Sequence, residues 1–159
     1  KEEYLSLYKK MKSRIPGVAI TTDIIVGFPG ETEEDFKETL EVVDECKFDG
    51  AYTFIFSPRE GTPASKMRDD TPLSVKEERL HILNEKINKY SKIHNEEYVG
   101  KIVPVLILGK SDKDKEKVYG YTDTMKLVNV VAKEDSIGKI VPVLITAAKS
   151  FSLDGKINE

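Results

Sequence analysis

Through the first hundred residues, apolar positions fall at helical spacing in three stretches and in near-continuous runs in two. Tyr4, Tyr8 and Met11 form a stripe among lysines and glutamates in residues 2–13, the pattern of a surface helix with one buried side, and Pro16–Gly17 stop it. VAITTDIIVGF, from Val18 to Phe28, is rich in β-branched and apolar residues. It predicts a strand buried on both faces at its end, and hence parallel pairing. Thr32 followed by Asp35 has the form of a capping box, ahead of Phe36, Leu40 and Val43 on one helical face through Cys46. AYTFIF, Ala51 to Phe56, predicts a second buried strand, so that strand, helix and strand make one right-handed βαβ unit. SPREGTPASKM follows as a loop of turn formers. Ser74 with Glu77 repeats the capping-box pattern, and Leu80, Leu83, Ile87, Tyr90 and His94 mark the stripe of a helix reaching about Tyr98. At 1.5 Å per residue that helix is about 36 Å long, enough to serve also as a connector.

The periodicity changes at Gly100. Short β-rich runs alternate with glycine and charged turns, and one eight-residue string, GKIVPVLI, occurs at Gly100–Ile107 and again at Gly138–Ile145. With VYGYTD and KLVNVVA between the copies and SLDGKI after them, about five short strands are expected. A small closed barrel is the economical arrangement because closure removes exposed edges. Pro104 and Pro142, equivalent in the two copies, point to bends, bulges or edge positions. The first part, residues 1–97, is a different case from the second, 98–159. Two parallel strands need neighbours on both edges and layers on both faces, so this part is expected to belong to a larger parallel barrel.

Composition narrows the partners. The 159 residues are 39% hydrophobic, sufficient for real cores, and carry a net charge of −3, too weak to steer the whole chain onto nucleic acid. Any nucleic-acid site must be a local patch. Through residue 95 there are 15 basic and 18 acidic residues, and beyond it 10 of each, so the second part is the less acidic. Cys46 is the only cysteine, which excludes an internal disulfide framework and fits a reducing compartment. No apolar run approaches the roughly 20 residues of a membrane helix, and no signal-like segment opens the chain; a cytoplasmic location without membrane contact is expected. The chain opens at Lys1 rather than methionine, which suggests that the true N-terminus lies further upstream.

TTDIIVGFPGETEEDF (Thr21–Phe36), FIFSPREGTPASKM (Phe54–Met67), the long helix and a strand-rich module ending in SLDGKI, in that order, resemble the radical-SAM methylthiotransferase family. GYTDTMKLVNV (Gly120–Val130) together with SFSLDGKI is most similar to the branch that adds a methylthio group to N6-isopentenyladenosine beside the tRNA anticodon. The resemblance implies an α/β plus all-β architecture. The end of a parallel (βα) radical-SAM barrel would fill residues 1–97, and a small antiparallel TRAM β-barrel that binds RNA would fill 98–159. For the intact protein it implies S-adenosylmethionine and two [4Fe–4S] clusters as cofactors. Its implied partners are the tRNA anticodon stem-loop and the preceding domains of the same polypeptide. The cluster cysteines, a CxxxCxxC motif and three more, do not occur in this sequence, so no catalytic or metal-binding residue is expected here and the chain alone is expected to be inactive.

Physical chemistry gives the matching residues plausible roles. GFPGE would sit at the C-terminal end of a barrel strand, where active faces form, with Gly27 and Gly30 letting backbone approach a ligand at a helix start. By resemblance Ile25, Gly27 and Phe28 are cofactor-wall candidates, and Arg59, in the loop after the next strand, suits a carboxylate or phosphate. Lys101, Lys117, Tyr121, Lys126, Asn129 and Lys149 are candidate RNA contacts, with Phe151 as a stacking group. Asp23 is a possible polar contact but no acid or base, and Cys46 is expected to be a packed thiol. His81 and His94, thirteen residues apart on one helix, cannot share a metal. Three other readings stay open: a methylthiotransferase acting on an aspartate of a ribosomal protein, one acting on threonylcarbamoyladenosine in tRNA, and a non-catalytic RNA-binding module with a vestigial α/β half.

Overall fold

The computed structural model describes residues 1–111, 114 and 116–158. It resolves into two compact units, Lys1–Tyr90 and Ser91–Glu159. The first contains α1 (Glu2–Arg14), β1 (Thr21–Val26), α2 (Glu33–Cys46), β2 (Gly50–Ile55), a short 3₁₀ turn (Pro63–Lys66) and most of α3 (Leu73–Glu96). β1 and β2 are parallel, paired from Thr21 opposite Gly50 to Val26 opposite Ile55. The parallel expectation therefore holds.

The expectation of burial on both faces does not. Thr21, Asp23 and Ile25 of β1 are exposed, whereas Val26 is fully buried. The reason is layering. Leu5 and Tyr8 of α1, Phe36, Val43 and Cys46 of α2, Phe48, and Leu83 and Ile87 of α3 pack with Val26 into one core on one side of the sheet. The other side keeps Ile25 54%, Tyr52 71% and Phe54 53% exposed. β1 is also shorter than its eleven-residue apolar run, because Gly27 takes the left-handed conformation (φ 70°) and leaves the strand.

α2 starts as its sequence predicts. Asp35 N–H donates to Thr32 Oγ1 at 3.1 Å, and Thr32 N–H donates to Asp35 Oδ2 at 2.8 Å. Thr32 also holds the Asp35 carboxyl below the usual carboxylate range. The second expected capping box is not formed. α3 begins at Leu73, and the Pro72 carbonyl accepts from the N–H groups of Val75 (3.1 Å) and Lys76 (3.3 Å), which places Ser74 inside the first turn.

The second unit is a closed barrel of β3 (Ile102–Lys110), β4 (Lys117–Thr122), β5 (Leu127–Val131), β6 (Ile140–Ala148) and β7 (Leu153–Ile157), in the order β3-β4-β5-β7-β6. It differs from the antiparallel barrel that the resemblance implies: β5 and β7 pair in parallel. Parity requires this. Directions cannot alternate around a ring of five strands, so one neighbouring pair must point the same way. Val105, Ile107, Val118, Val128, Val130, Val143, Ile145 and Leu153 fill the interior, each at most 1% exposed.

The two copies of the repeat pair with one another about a local two-fold. Pro104 stands opposite Pro142, flanked by Ile102 opposite Leu144 and Leu106 opposite Ile140. Ile145 N–H to Lys101 O and Ile107 N–H to Lys139 O are equivalent hydrogen bonds, both 3.0 Å. Strand alternation then puts the two prolines in a non-hydrogen-bonded pair. On their other edges, pairing stops one residue short of each, at Val105 opposite Thr122 and Val143 opposite Ile157. No ladder bond is lost to either proline. The register shifts come later, after Ile107 and after Ile145. Gly120 lies opposite the first of these; a Cβ there would sit 2.1 Å from the Leu106 carbonyl oxygen, so only glycine admits the close approach.

Candidate cofactor turn and nucleic-acid interface

The chain leaves β1 through a turn built on two left-handed glycines, Gly27 (φ 70°) and Gly30 (φ 86°), and closed by Glu31 N–H to Phe28 O at 2.8 Å. α3 grips this turn. The Glu31 carboxylate accepts from Gly27 N–H at 3.1 Å and from Arg79 Nη1 at 2.7 Å, and Arg79 also donates to the Glu31 carbonyl at 3.2 Å and to Glu33 at 3.2 Å. The guanidinium lies over the Phe36 ring, 5.5 Å from its centre. Beneath Gly27 runs the buried stem of Lys76; a Cβ on Gly27 would come within 2.6 Å of it. The Lys76 ammonium is tied to Asp69 and holds that carboxyl below its ordinary range.

Ile25, Gly27 and Phe28 are thus gathered at one strand end. Ile25 stands opposite Phe54 on the open sheet face, and Phe28 packs edge-to-face on Phe56 at 5.0 Å. Asp23 lies on the same face, opposite Tyr52. Arg59 is exposed, and only its backbone is fixed, by Thr62 N–H and Oγ1 at 3.2 and 2.7 Å; its guanidinium forms no hydrogen bond or ion pair among the described residues. Sequence reasoning missed Glu31, Lys76 and Arg79. Their signal was available: Lys76 and Arg79 share a helical face with Leu83, and charges on an apolar stripe imply a partner beneath it. His81 and His94 each face a nearby glutamate of their own segment, at 3.5 and 3.8 Å, and do not converge. Cys46 is buried, and burial pushes its thiol pKa up. Among the described residues no three His, Cys, Asp or Glu side chains are grouped to hold a metal.

In the barrel, alternation aims Lys117, Tyr119 and Tyr121 of β4 and Leu127, Asn129 and Val131 of β5 outward. Tyr119 stands opposite Asn129, Tyr121 opposite Leu127, and Lys117 opposite Val131. Three expected RNA contacts, Lys117, Tyr121 and Asn129, are therefore neighbours on one outer face, joined by Tyr119, which the sequence reading passed over. Lys117 is paired with Asp114 at 3.2 Å. The other expected contacts lie elsewhere. Lys101 is exposed near the start of β3, over the Tyr98 ring. Lys149 is paired with Asp154 at 2.8 Å in the β6–β7 turn, where Phe151 is 75% exposed. Lys126 is not presented at the surface: it is 8% exposed, and its N–H is committed to Thr122 Oγ1, because it closes the β4–β5 turn against the barrel.

Residues 96–157, which include all five barrel strands, match the TRAM domain family. The whole chain is 54% identical over 159 residues to the tRNA-2-methylthio-N(6)-dimethylallyladenosine synthase of Bacillus cytotoxicus. It is 54% identical over 155 residues, 98% of the chain and 30% of that protein, to the protein of the same name from Staphylococcus aureus. The similarity to these two proteins extends over both units of the chain. The chain spans 31% of the length of the Bacillus cytotoxicus relative, the C-terminal share. Within it the TRAM domain holds Tyr119, Tyr121 and Asn129, and the parallel pair with its glycine turn precedes it. No helix among the described residues is long and apolar enough to cross a membrane.

Proposed function

We propose that this chain is the C-terminal part of a tRNA methylthiotransferase. The parent would convert N6-isopentenyladenosine beside the anticodon into its 2-methylthio derivative by radical-SAM chemistry in the cytoplasm. The observation that carries this reading is similarity across both units at once, at 54% identity, rather than over the barrel alone. In the proposal β1 and β2 are strands at the end of the parent's radical-SAM barrel. Their open face, with Ile25 and Phe54 opposite one another and the Gly27 turn above, lines the cofactor cleft. That surface fits the flat apolar face of an adenine, and the buried Gly27 shapes the turn that carries Phe28 to its edge. S-adenosylmethionine, when bound, would supply the radical that starts the chemistry; Ile25, Gly27 and Phe28 would wall its adenine, and Arg59 would be free to meet a carboxylate or phosphate. The [4Fe–4S] clusters do not fit this chain. Its one cysteine is buried and biased toward the protonated thiol, so cluster ligands belong to the rest of the parent.

The TRAM domain is proposed to receive the tRNA anticodon stem-loop on the outer face of β4 and β5. Tyr119 and Tyr121 offer rings for unpaired bases, Asn129 an amide for a base edge, and Lys117 a charge for phosphate. The preceding domains of the same polypeptide are the second proposed partner. Titrating the chain with an isopentenylated anticodon stem-loop at several salt concentrations, alongside a ribosomal protein substrate, tests the reading. Binding to the stem-loop that weakens with salt, and weakens further in Tyr121→Ala, is expected. Equal or better binding to the protein substrate would defeat it.

A further inference from the structure

We infer that the Lys149–Ser152 turn is a preset stacking finger. On it Phe151 takes up one unpaired base of the bound RNA, with Ser91 and Asn95 as its positioning residues. The inference rests on the RNA-binding reading given above. Phe151 has the highest exposure, 75%, among the exposed large hydrophobic residues described. Its ring makes no aromatic or cation contact among the described residues. An exposed aromatic at a loop tip would ordinarily be mobile. Here the turn is fixed from below.

Lys149 N–H closes the turn on Ser152 O at 2.8 Å. Ser91 Oγ donates to the Ser150 carbonyl at 2.6 Å, and Asn95 Nδ2 donates to the carbonyls of Lys149 at 2.7 Å and Ser150 at 3.2 Å. Both side chains come from the end of α3 and are buried, at 6% and 3% exposure. Lys149 is itself tied to Asp154. Three hydrogen bonds from buried side chains and an ion pair thus hold the backbone that carries a hydrophobic ring in water, which packing alone does not explain. A turn already fixed in place loses little backbone freedom on binding.

The identity of the partner follows from chemistry and register. Phe151 has no donor or acceptor and is flanked by Ser150 and Ser152, so it offers a ring face rather than the centre of an apolar patch. Bases stack on such a face without regard to sequence, but only where they are not already stacked in a duplex. Val128 pairs with Leu153 and Tyr121 with Leu127, which puts Ser152 beside Leu127 and Phe151 at the Tyr121 end of the tyrosine face. Two interstrand spacings, roughly 10 Å, separate Tyr121 from Ser152, the residue next to Phe151. A single strand crossing β4, β5 and β7 meets Tyr121 and then Phe151.

The test uses the whole chain with a hairpin RNA carrying a seven-nucleotide loop, with 2-aminopurine at each loop position in turn, and a blunt duplex of the same stem. Tighter binding to the hairpin and a fluorescence change at one loop position are expected. Phe151→Ala should abolish that change and weaken hairpin binding about 5- to 150-fold without shifting the melting temperature, while Phe151→Trp retains both signals. Asn95→Ala should also weaken binding, and adding it to Phe151→Ala should cost nothing more. A wild-type chain that binds the hairpin, with Phe151→Ala binding equally well and giving the same fluorescence, overturns the finger alone. Equal affinity for hairpin and duplex does so too. No binding to either RNA overturns the finger and the RNA reading together.

Discussion

Replacing Arg79 by alanine tests whether the turn after β1 is held by the clamp from α3. In the wild-type chain Arg79 and Glu31 have side chains 8% and 12% exposed, so solvent screens their 2.7 Å contact little. Removing one partner of such a pair costs about 3–5 kcal/mol, because the remaining charge stays buried. Glu33, 82% exposed, adds almost nothing. Against this, Arg79 Nε is buried without a partner, a penalty of about 1–3 kcal/mol that the substitution relieves. Taking the middle of each range, about 4 less about 2, the net expectation is about 2 kcal/mol, roughly a 30-fold change in the local opening equilibrium. Hydrogen exchange followed by mass spectrometry reads it directly: amides of residues 27–36 should exchange faster by that factor, while those of 117–131 in the barrel keep their rates. Arg79→Lys, which keeps the charge but not the fork, should fall between. Acceleration below threefold, or an equal loss in the barrel, would refute the clamp.

Other outcomes follow from the same structure. The Tyr8 hydroxyl donates to the Cys46 carbonyl, and burial pushes its pKa from 10.0 up to about 12. A raised folded value means that its stabilisation is complete below pH 10 and is lost as pH rises through 12. In Tyr8→Phe the α/β unit should be weaker by about 1 kcal/mol at neutral pH and lose less between pH 10 and 12; identical urea-midpoint profiles across that window would rule this out. Thr32→Ala should cost about 1 kcal/mol by removing the α2 cap, seen as a lower urea midpoint, and Thr32→Ser should restore most of it. Gly120→Ala places a methyl 2.1 Å from backbone oxygen, where no side chain can yield, and should lower barrel stability by at least about 2 kcal/mol in thermal melts followed by circular dichroism.

Much of the local structure was legible in the residues. Thr32 and Asp35 predicted a cap that forms atom for atom, Cys46 ends α2 where the apolar spacing stops, and the parallel sense of β1 and β2 follows from their composition. The candidate cofactor residues Ile25, Gly27 and Phe28 were readable because they share one short motif. What holds them was not, since Arg79 lies 48 residues from Glu31 and nothing local joins them. The RNA candidates divide the same way. Lys117, Tyr121 and Asn129 meet through strand pairing, whereas Lys126 resembled any other lysine until the β4–β5 turn buried it.

By itself, the sequence determined the elements, the repeat and the strand count, because each is written as a periodicity or a local hydrogen-bonding pattern within a few residues. Only the tertiary structure decided that one sheet face is covered and the other open, that five strands close with one parallel pair, and that two copies of one string face each other across Pro104 and Pro142. Those outcomes depend on which distant surfaces bury one another, and a residue's own neighbours in the chain carry no record of that.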